Sequence, residues 1–202
     1  MKTLLSIALL WIISTAGHGA TLLVFGDSLS SAYGIGAREG WVTLLEERLQ
    51  RKRFDYSVVN ASISGETTSG GATRIGEALQ RARPAVVIVA LGGNDGLRGL
   101  SAAQMNANLS RIIVAAKSRG ARVLLVGVRV PPNYGPRYVG EFKAVFTELA
   151  ERHRVPLVPY MLEGIGEHRK LMQRDNIHPT AAAQPQILEN IWPTLEPLLK
   201  RR

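Results

Sequence analysis

The sequence predicts an α/β fold, a three-layer α/β/α sandwich around a five-stranded parallel sheet. Three observations lead there. Short apolar runs alternate along the chain with segments whose apolar residues recur at helical spacing. One run, Ala85 to Leu91 (AVVIVAL), is continuously apolar between Pro84 and Gly92, as a parallel strand buried on both faces reads. The strand-then-helix alternation continues from residue 21 almost to the end, without a linker, repeat or low-complexity tract.

The elements follow in order. Leu22-Leu23-Val24-Phe25 is a first strand, ended by Gly26. Trp41, Leu44, Leu45 and Leu49 lie on one face of a helix, and Ser57-Val58-Val59 is the second strand. A second helix closes near Leu79, ahead of Pro84, and the third strand is the AVVIVAL run. Ser101 and Gln104 predict a capping box for a helix whose buried face is Met105, Leu109, Ile112, Ile113 and Ala116. Gly120 stops that helix, with Lys117 and Arg119 in its last turn. Arg122 to Gly127 is the fourth strand, and Phe142, Val145, Phe146 and Leu149 line the next helix. Val155 to Val158 is the fifth strand. A last helix carries Ile187, Leu188, Ile191, Trp192 and Leu195 and is perturbed by Pro193 and Pro197.

Composition sets the boundaries. The 202 residues, 46% hydrophobic and 20% charged, suit one domain with a sizeable core. Residues 1–20 read as a secretory signal peptide: Lys2, then an apolar run from Leu4 to Ile13, then small residues to Ala20. Gly17/Gly19 and Ser14/Ala16 both fit a small-x-small cleavage rule, and the domain is expected over 21–202. There is no cysteine, which excludes disulfides, thiol catalysis and thiolate metal sites. The net charge of +9 comes from scattered residues with no aromatic platform, so nucleic acid is not the expected partner. Weak attraction to anionic lipid headgroups is the consequence expected of the charge.

In a parallel sheet, ligands bind beyond the carboxyl ends of the strands. That directs attention to the residues after 25, 60, 91, 127 and 158. After the first strand stands Gly26-Asp27-Ser28-Leu29-Ser30. A serine at a strand-to-helix turn is expected near backbone N–H groups of a helix N-terminus, although an ordinary capped turn uses the same residue types. After the second stands Asn60-Ala61-Ser62-Ile63-Ser64-Gly65, whose glycine permits close backbone approach. Its Asn-Ala-Ser sequon, like Asn108-Leu109-Ser110, reads as a chance match. After the third stands Gly92-Gly93-Asn94-Asp95-Gly96, a turn by composition, whose Asn94 amide falls beside Ser28 if strands one and three are neighbours. Near the end stands Asp175-Asn176-Ile177-His178-Pro179.

A serine nucleophile needs a base, most often histidine, oriented by a carboxylate. Of four histidines, His18 is in the leader, His153 lies between Arg152 and Arg154, and His168 is in a polar stretch. His178 has a carboxylate three residues earlier, in a loop before a helix. Asp27, Asp95, Asp175 and His178 are of metal-ligating type, but their spacing matches no standard zinc signature, and no HExxH occurs. No metal and no cofactor is expected.

The blocks Gly26-Asp27-Ser28, the segment with Gly65, Gly92 to Asp95 (GGND) and Asp175 to His178 (DNIH), in this order, resemble the SGNH (GDSL) hydrolases. Val59–Gly65 (VNASISG), Leu91–Arg98 (LGGNDGLR) and Pro132–Gly135 (PNYG) look like its bacterial multifunctional acyl-CoA thioesterase I/lysophospholipase/arylesterase subfamily. The resemblance covers residue 21 to about 199 and implies a flavodoxin-like fold and a periplasmic serine esterase. It implies Ser28 as nucleophile, His178 as base and Asp175 as its orienting carboxylate. The oxyanion hole would be the N–H groups of Ser28 and Gly65 with the Asn94 amide. It also implies that Leu97, Arg98, Leu100, Pro132 and Tyr134 line the substrate site, that the loop 96–100 moves, and that small acyl esters, thioesters or lysophospholipids are the substrates of a monomer. A carbohydrate or peptidoglycan O-acetyl esterase of the same fold, and an inactive lipid-binding module, are the competing readings.

Overall fold

The computed structural model describes residues 19–200. The expected leader falls almost wholly outside them, apart from Gly19 and Ala20. Strand β1 (Ala20–Gly26) begins one residue before the expected domain boundary: Ala20 pairs with Tyr56, and its N–H donates to the carbonyl of Asp55 at 2.9 Å.

The remaining elements are α1 (Trp41–Arg51), β2 (Tyr56–Asn60), α2 (Thr68–Ala82), β3 (Val86–Ala90), α3 (Gly93–Leu97), α4 (Ala102–Ser118), β4 (Arg122–Val126), α5 (Pro136–His153), β5 (Leu157–Val158) and α6 (Gln184–Leu195). The five strands form one parallel sheet in the order β2-β1-β3-β4-β5. Helices α1 and α6 pack together on one face, and α2, α4 and α5 on the other, which gives the three expected layers. Every residue of β3 is buried, as its unbroken apolar run requires. The outer strand β2 is covered less and leaves Val59 exposed.

Three local expectations are corrected. The fifth strand is two residues long, not four. The N–H of Val155 turns back to the carbonyl of Ala150 to finish α5, and Pro156 has no N–H to give the ladder. The segment after β3 is a short helix, α3, and not a plain turn. Gly92, at φ +120°, redirects the chain into it, a conformation that L side chains rarely adopt. No helix begins at Ser28. An isolated turn follows β1, and α1 starts only at Trp41. At α4 the Ser101 hydroxyl accepts from the Gln104 N–H at 3.4 Å, which is the serine half of the expected box. Helix α6 runs on through Pro193 to Leu195.

Beta strands β2, β1 and β3 are adjacent, with Val24 level with Asn60 and Gly26 level with Ala90. Register therefore brings the turn after β1 between the loops after β2 and β3.

Candidate active site

The turn after β1 is closed by the N–H groups of Ser30 and Ser31, both donating to the carbonyl of Asp27 at 3.1 Å. The Asp27 carboxylate accepts the Leu29 N–H at 3.0 Å, so Ser28 is held between two backbone anchors. Backbone donors near Ser28 thus come from a turn and not from a helix terminus, which corrects the sequence expectation. Neighbouring loops are tied to this turn. Asn60 Nδ2 donates to the carbonyl of Ser30 at 2.8 Å, Ile63 N–H to that of Gly26 at 3.1 Å, and the hydroxyls of Ser31 and Ser64 are 2.8 Å apart.

Gly65 is the third residue of a tight turn in which Glu66 N–H donates to the carbonyl of Ile63 at 3.1 Å. Its φ of +80° is the value that the third position of a type II turn demands and that a residue with a Cβ resists. Asn94, in α3, donates from Nδ2 to the carbonyl of Glu66 at 3.0 Å and lies 3.4 Å from Asp27 Oδ2.

From the opposite side comes the loop before α6. His178 Nε2 is 2.9 Å from Ser28 Oγ, and His178 Nδ1 is 2.7 Å from Asp175 Oδ2. The other oxygen of Asp175 accepts the N–H groups of Ile177 at 2.9 Å and His178 at 3.0 Å. Partial burial acts to raise the Asp175 pKa. The hydrogen bonds from His178, backbone and ring, and from Ile177 outweigh it and hold the carboxyl at about 2, below the ordinary 3.8. An ionised Asp175 fixes the proton on Nδ1 and leaves Nε2 free to accept from Ser28.

Asp27 behaves oppositely. Burial raises its pKa to about 6, against the Leu29 hydrogen bond, the charge of His178 and the Asn94 amide, while Asp95 adds to the rise. Asp95 is also buried and caps α2: Thr68 N–H donates to it at 2.8 Å and the Thr68 hydroxyl at 2.6 Å. Among the described residues no group of three or more His, Asp or Glu side chains is placed to hold a metal ion.

The residues expected to line the substrate site gather beside this centre in part. Leu97, Arg98 and Leu100 belong to one segment, which two tyrosines hold: Tyr134 donates to the carbonyl of Leu97 at 2.7 Å and Tyr138 to that of Leu100 at 2.8 Å. Pro132 shares only the short 3-10 turn Pro132–Tyr134 with this contact. Two grooves of about 400 Å³ lie elsewhere: one against α2 and β2, lined by Val59, Ile63, Arg74 and Arg81, the other beside Tyr134 and Tyr138. Neither is lined by Ser28, Asp175 or His178, and this centre is marked by its hydrogen-bond geometry.

Three neighbours had no sequence signal. The Tyr33 ring lies 4.4 Å from that of His178. Gln173 Nε2 donates to the carbonyls of Tyr33 and Pro179, each at 2.9 Å, and so ties the loop after β1 to the histidine loop. Tyr138 is the third. His153, set aside in the sequence, does touch a serine, with Nε2 2.8 Å from Ser110 Oγ. Burial and the charges of Arg152 and Lys117 lower its pKa, which is the reverse of the carboxylate-supported setting of His178.

Comparison with known proteins gives the family. The model of the GDSL-like lipase/acylhydrolase family matches residues 24–184. The chain is 52% identical to Esterase TesA of Pseudomonas aeruginosa over 179 residues, 89% of each chain. It is 42% identical to Thioesterase 1/protease 1/lysophospholipase L1 of Escherichia coli K12 over 184 residues, 91% of this chain and 87% of that one. The crystal structure of a protein named TesA superposes with a TM-score of 0.87 at 52% identity, covering 89% of this chain and 99% of that one. With the sheet order, the blocks at Ser28, Gly65, Asn94 and His178, and these matches in hand, the chain belongs to the GDSL-like lipase/acylhydrolase (SGNH hydrolase) family.

Proposed function

We propose that this chain is a periplasmic serine esterase that cleaves carboxylic esters and thioesters of acyl substrates through Ser28, His178 and Asp175. The observation that carries the reading is the unbroken hydrogen-bonded line from Asp175 Oδ2 through His178 to Ser28 Oγ, with steps of 2.7 and 2.9 Å. Ser28 Oγ attacks the acyl carbon while its proton passes to His178 Nε2. That proton then goes to the departing alcohol or thiol as its bond to the acyl carbon breaks. The acyl-enzyme is hydrolysed when His178 takes a proton from water, the hydroxide attacks, and Ser28 Oγ leaves with the proton.

The charge that develops on the carbonyl oxygen would be met by the N–H groups of Ser28 and Gly65 and by the Asn94 amide. One amide hydrogen of Asn94 is committed to the Glu66 carbonyl, which aims the second; its contact with Asp27, at 3.4 Å, is long enough to give up. Arylesters, thioesters and lysophospholipids are the substrate classes we assign, in keeping with the names of the Escherichia coli relative and of an arylesterase of Vibrio mimicus that is 40% identical over 190 residues. The export signal ends at residue 19: Ala20, as the first paired residue of β1, favours cleavage after Gly19. Among the described residues no helix is long and apolar enough to cross a membrane, and contact with lipid is assigned to the charged surface alone.

A panel of p-nitrophenyl esters of rising chain length, acyl thioesters and lysophospholipids, assayed on the mature protein, tests the reading. Turnover across chain lengths and on thioesters is expected. Turnover of acetyl esters only would replace it with an O-acetyl esterase. Failure of a fluorophosphonate to label Ser28 would leave a binding module.

A further inference from the structure

We infer that Arg98 is a positioning residue of the oxyanion hole, clamping the turn that presents the Gly65 N–H. The inference deepens the function proposed above and rests on Gly65 N–H being an oxyanion donor.

The argument starts with the turn. In a turn over Ile63–Glu66, the direction of the Gly65 N–H depends on whether the Ser64–Gly65 peptide plane is in the type I or the type II orientation. At φ +80° the turn is type II. Glycine permits that orientation but does not enforce it, because without a Cβ both orientations are open. Where that N–H sits therefore depends on what anchors the turn as a whole.

Two side chains of the segment after β3 anchor its closing side, at the Gly65–Glu66 peptide and at the carbonyl that follows. Arg98 Nη2 donates to the carbonyl of Gly65 at 3.1 Å, and Asn94 Nδ2 donates to the next carbonyl, Glu66, at 3.0 Å. Residues 94 and 98 are four apart, and Arg98 N–H donates to the carbonyl of Asn94 at 3.2 Å, so the two side chains leave one face of one helical turn. A Cβ added at Gly65 would sit 4.0 Å from Arg98 Nη2, so the guanidinium lies over the glycine itself. Arg98 is exposed, yet among the described residues it joins none of the ion pairs; its contact is with the backbone carbonyl. The far end of its segment is fixed by Tyr134 on Leu97 and Tyr138 on Leu100. Contacts thus run from the Tyr134 and Tyr138 hydroxyls to the donor that faces the reacting oxygen.

The test uses Arg98→Ala and Arg98→Lys with a neutral, soluble, short-chain p-nitrophenyl ester. For Arg98→Ala, kcat is expected to fall about tenfold, less than the 10²–10³ that follows deletion of a donor outright, with KM within about twofold. Melting temperature should not move. Millimolar guanidinium should restore part of kcat in Arg98→Ala and do nothing for the parent enzyme, a response that a merely structural role would not give. Inactivation by a fluorophosphonate, whose phosphoryl oxygen enters the hole, should slow in parallel. An Arg98→Ala enzyme with normal kcat, or with a defect in KM confined to anionic substrates, overturns the inference and makes Arg98 a substrate contact. Gly65→Ala separates the two levels. If it is crippled while Arg98→Ala is normal, only the clamp fails; if both are normal, the hole assignment fails with it.

Discussion

Ser28, Gly65 and Asn94 hang from the ends of three neighbouring strands, whereas Asp175 and His178 sit in a loop that no strand holds. On the first side, position follows from register. Hydrogen bonds from Asn60, Ile63 and Ser64 then tie the loop after β2 to the turn after β1, and Asn94 ties the third segment to the Glu66 carbonyl. On the second side, the loop is held largely by itself. Asp175 accepts the N–H groups of the residues two and three ahead, Met172 and Pro179 pair across its neck, and Gln173 reaches over to Tyr33. The difference separates two kinds of defect. Substitutions on the loop side should change charge and tautomer without touching the sheet. Those on the strand side should act on the transition state or on the stability of the buried turn.

Ser28→Ala, where the two sides meet, carries the largest expected effect. Turnover should drop by about 10⁶ with the fold intact, because loss of the serine of such a triad costs about as much as loss of all three members. Circular dichroism and kcat measured together check it, and residual activity above about one percent would place the nucleophile elsewhere. Next is Asp175→Asn, with a loss of about 10⁴ in kcat expected from the wrong histidine tautomer. Because the Asp175 pKa is held at about 2, the contribution of this carboxylate to stability is present above 3.8 and is lost only as the pH falls from there through 2. At neutral pH the parent has that contribution in full, so thermal melts of the mutant should show a modest fall in melting temperature with the sheet intact. A large fall in melting temperature would mean that the loop is not self-contained.

Asn94→Ala should lower kcat by about 10²–10³ with little change in KM, since its amide acts on charge that only the transition state carries. Near-normal turnover of a well-folded mutant would reduce Asn94 to a holder of the Glu66 carbonyl. The smallest effect expected is on stability, at Asp27. Its folded pKa is raised to about 6, so between 3.8 and 6 the unfolded chain ionises first and stability falls as pH rises. That penalty, of order 3 kcal/mol above pH 6 at about 1.4 kcal/mol per tenfold change in proton affinity, is absent in Asp27→Asn. The melting temperature of the mutant relative to the parent should climb between pH 4 and pH 7. A constant difference would show that Asp27 is not desolvated as its burial implies.

The layers were legible because buried parallel strands leave continuous apolar runs, and the candidate site was legible where chemistry depends on neighbours in sequence. Asp175 reaches His178 within three residues, and glycine is demanded at position 65 by a local turn. What stayed hidden depends on distant partners. Tyr33 meets His178, Gln173 meets Tyr33, and Arg98 meets Gly65 across gaps that no periodicity records. The short helix at Gly93–Leu97 was also unreadable, since its Gly-Asn-Asp-Gly composition favours turns and its form is fixed by tertiary contacts. Val155 and Pro156 have strand-like composition but lie where α5 ends, and the helix claims the Val155 N–H.

Tyr56 has one consequence for handling this protein. Its backbone is level with Ala20, and its hydroxyl accepts the N–H of Lys200 at 3.3 Å, so the two ends of the described chain meet at one residue. Strand β1 then runs seven residues from Ala20 to the Ser28 turn, roughly 20 Å at 3.3 Å per residue. A solid support or fusion partner attached near Ala20 or Lys200 would stand at the far rim of the sheet, leaving Ser28 open to bulky amphiphiles. A short peptide could close the chain into a circle there, opening the way to permutants cut at a distant surface loop.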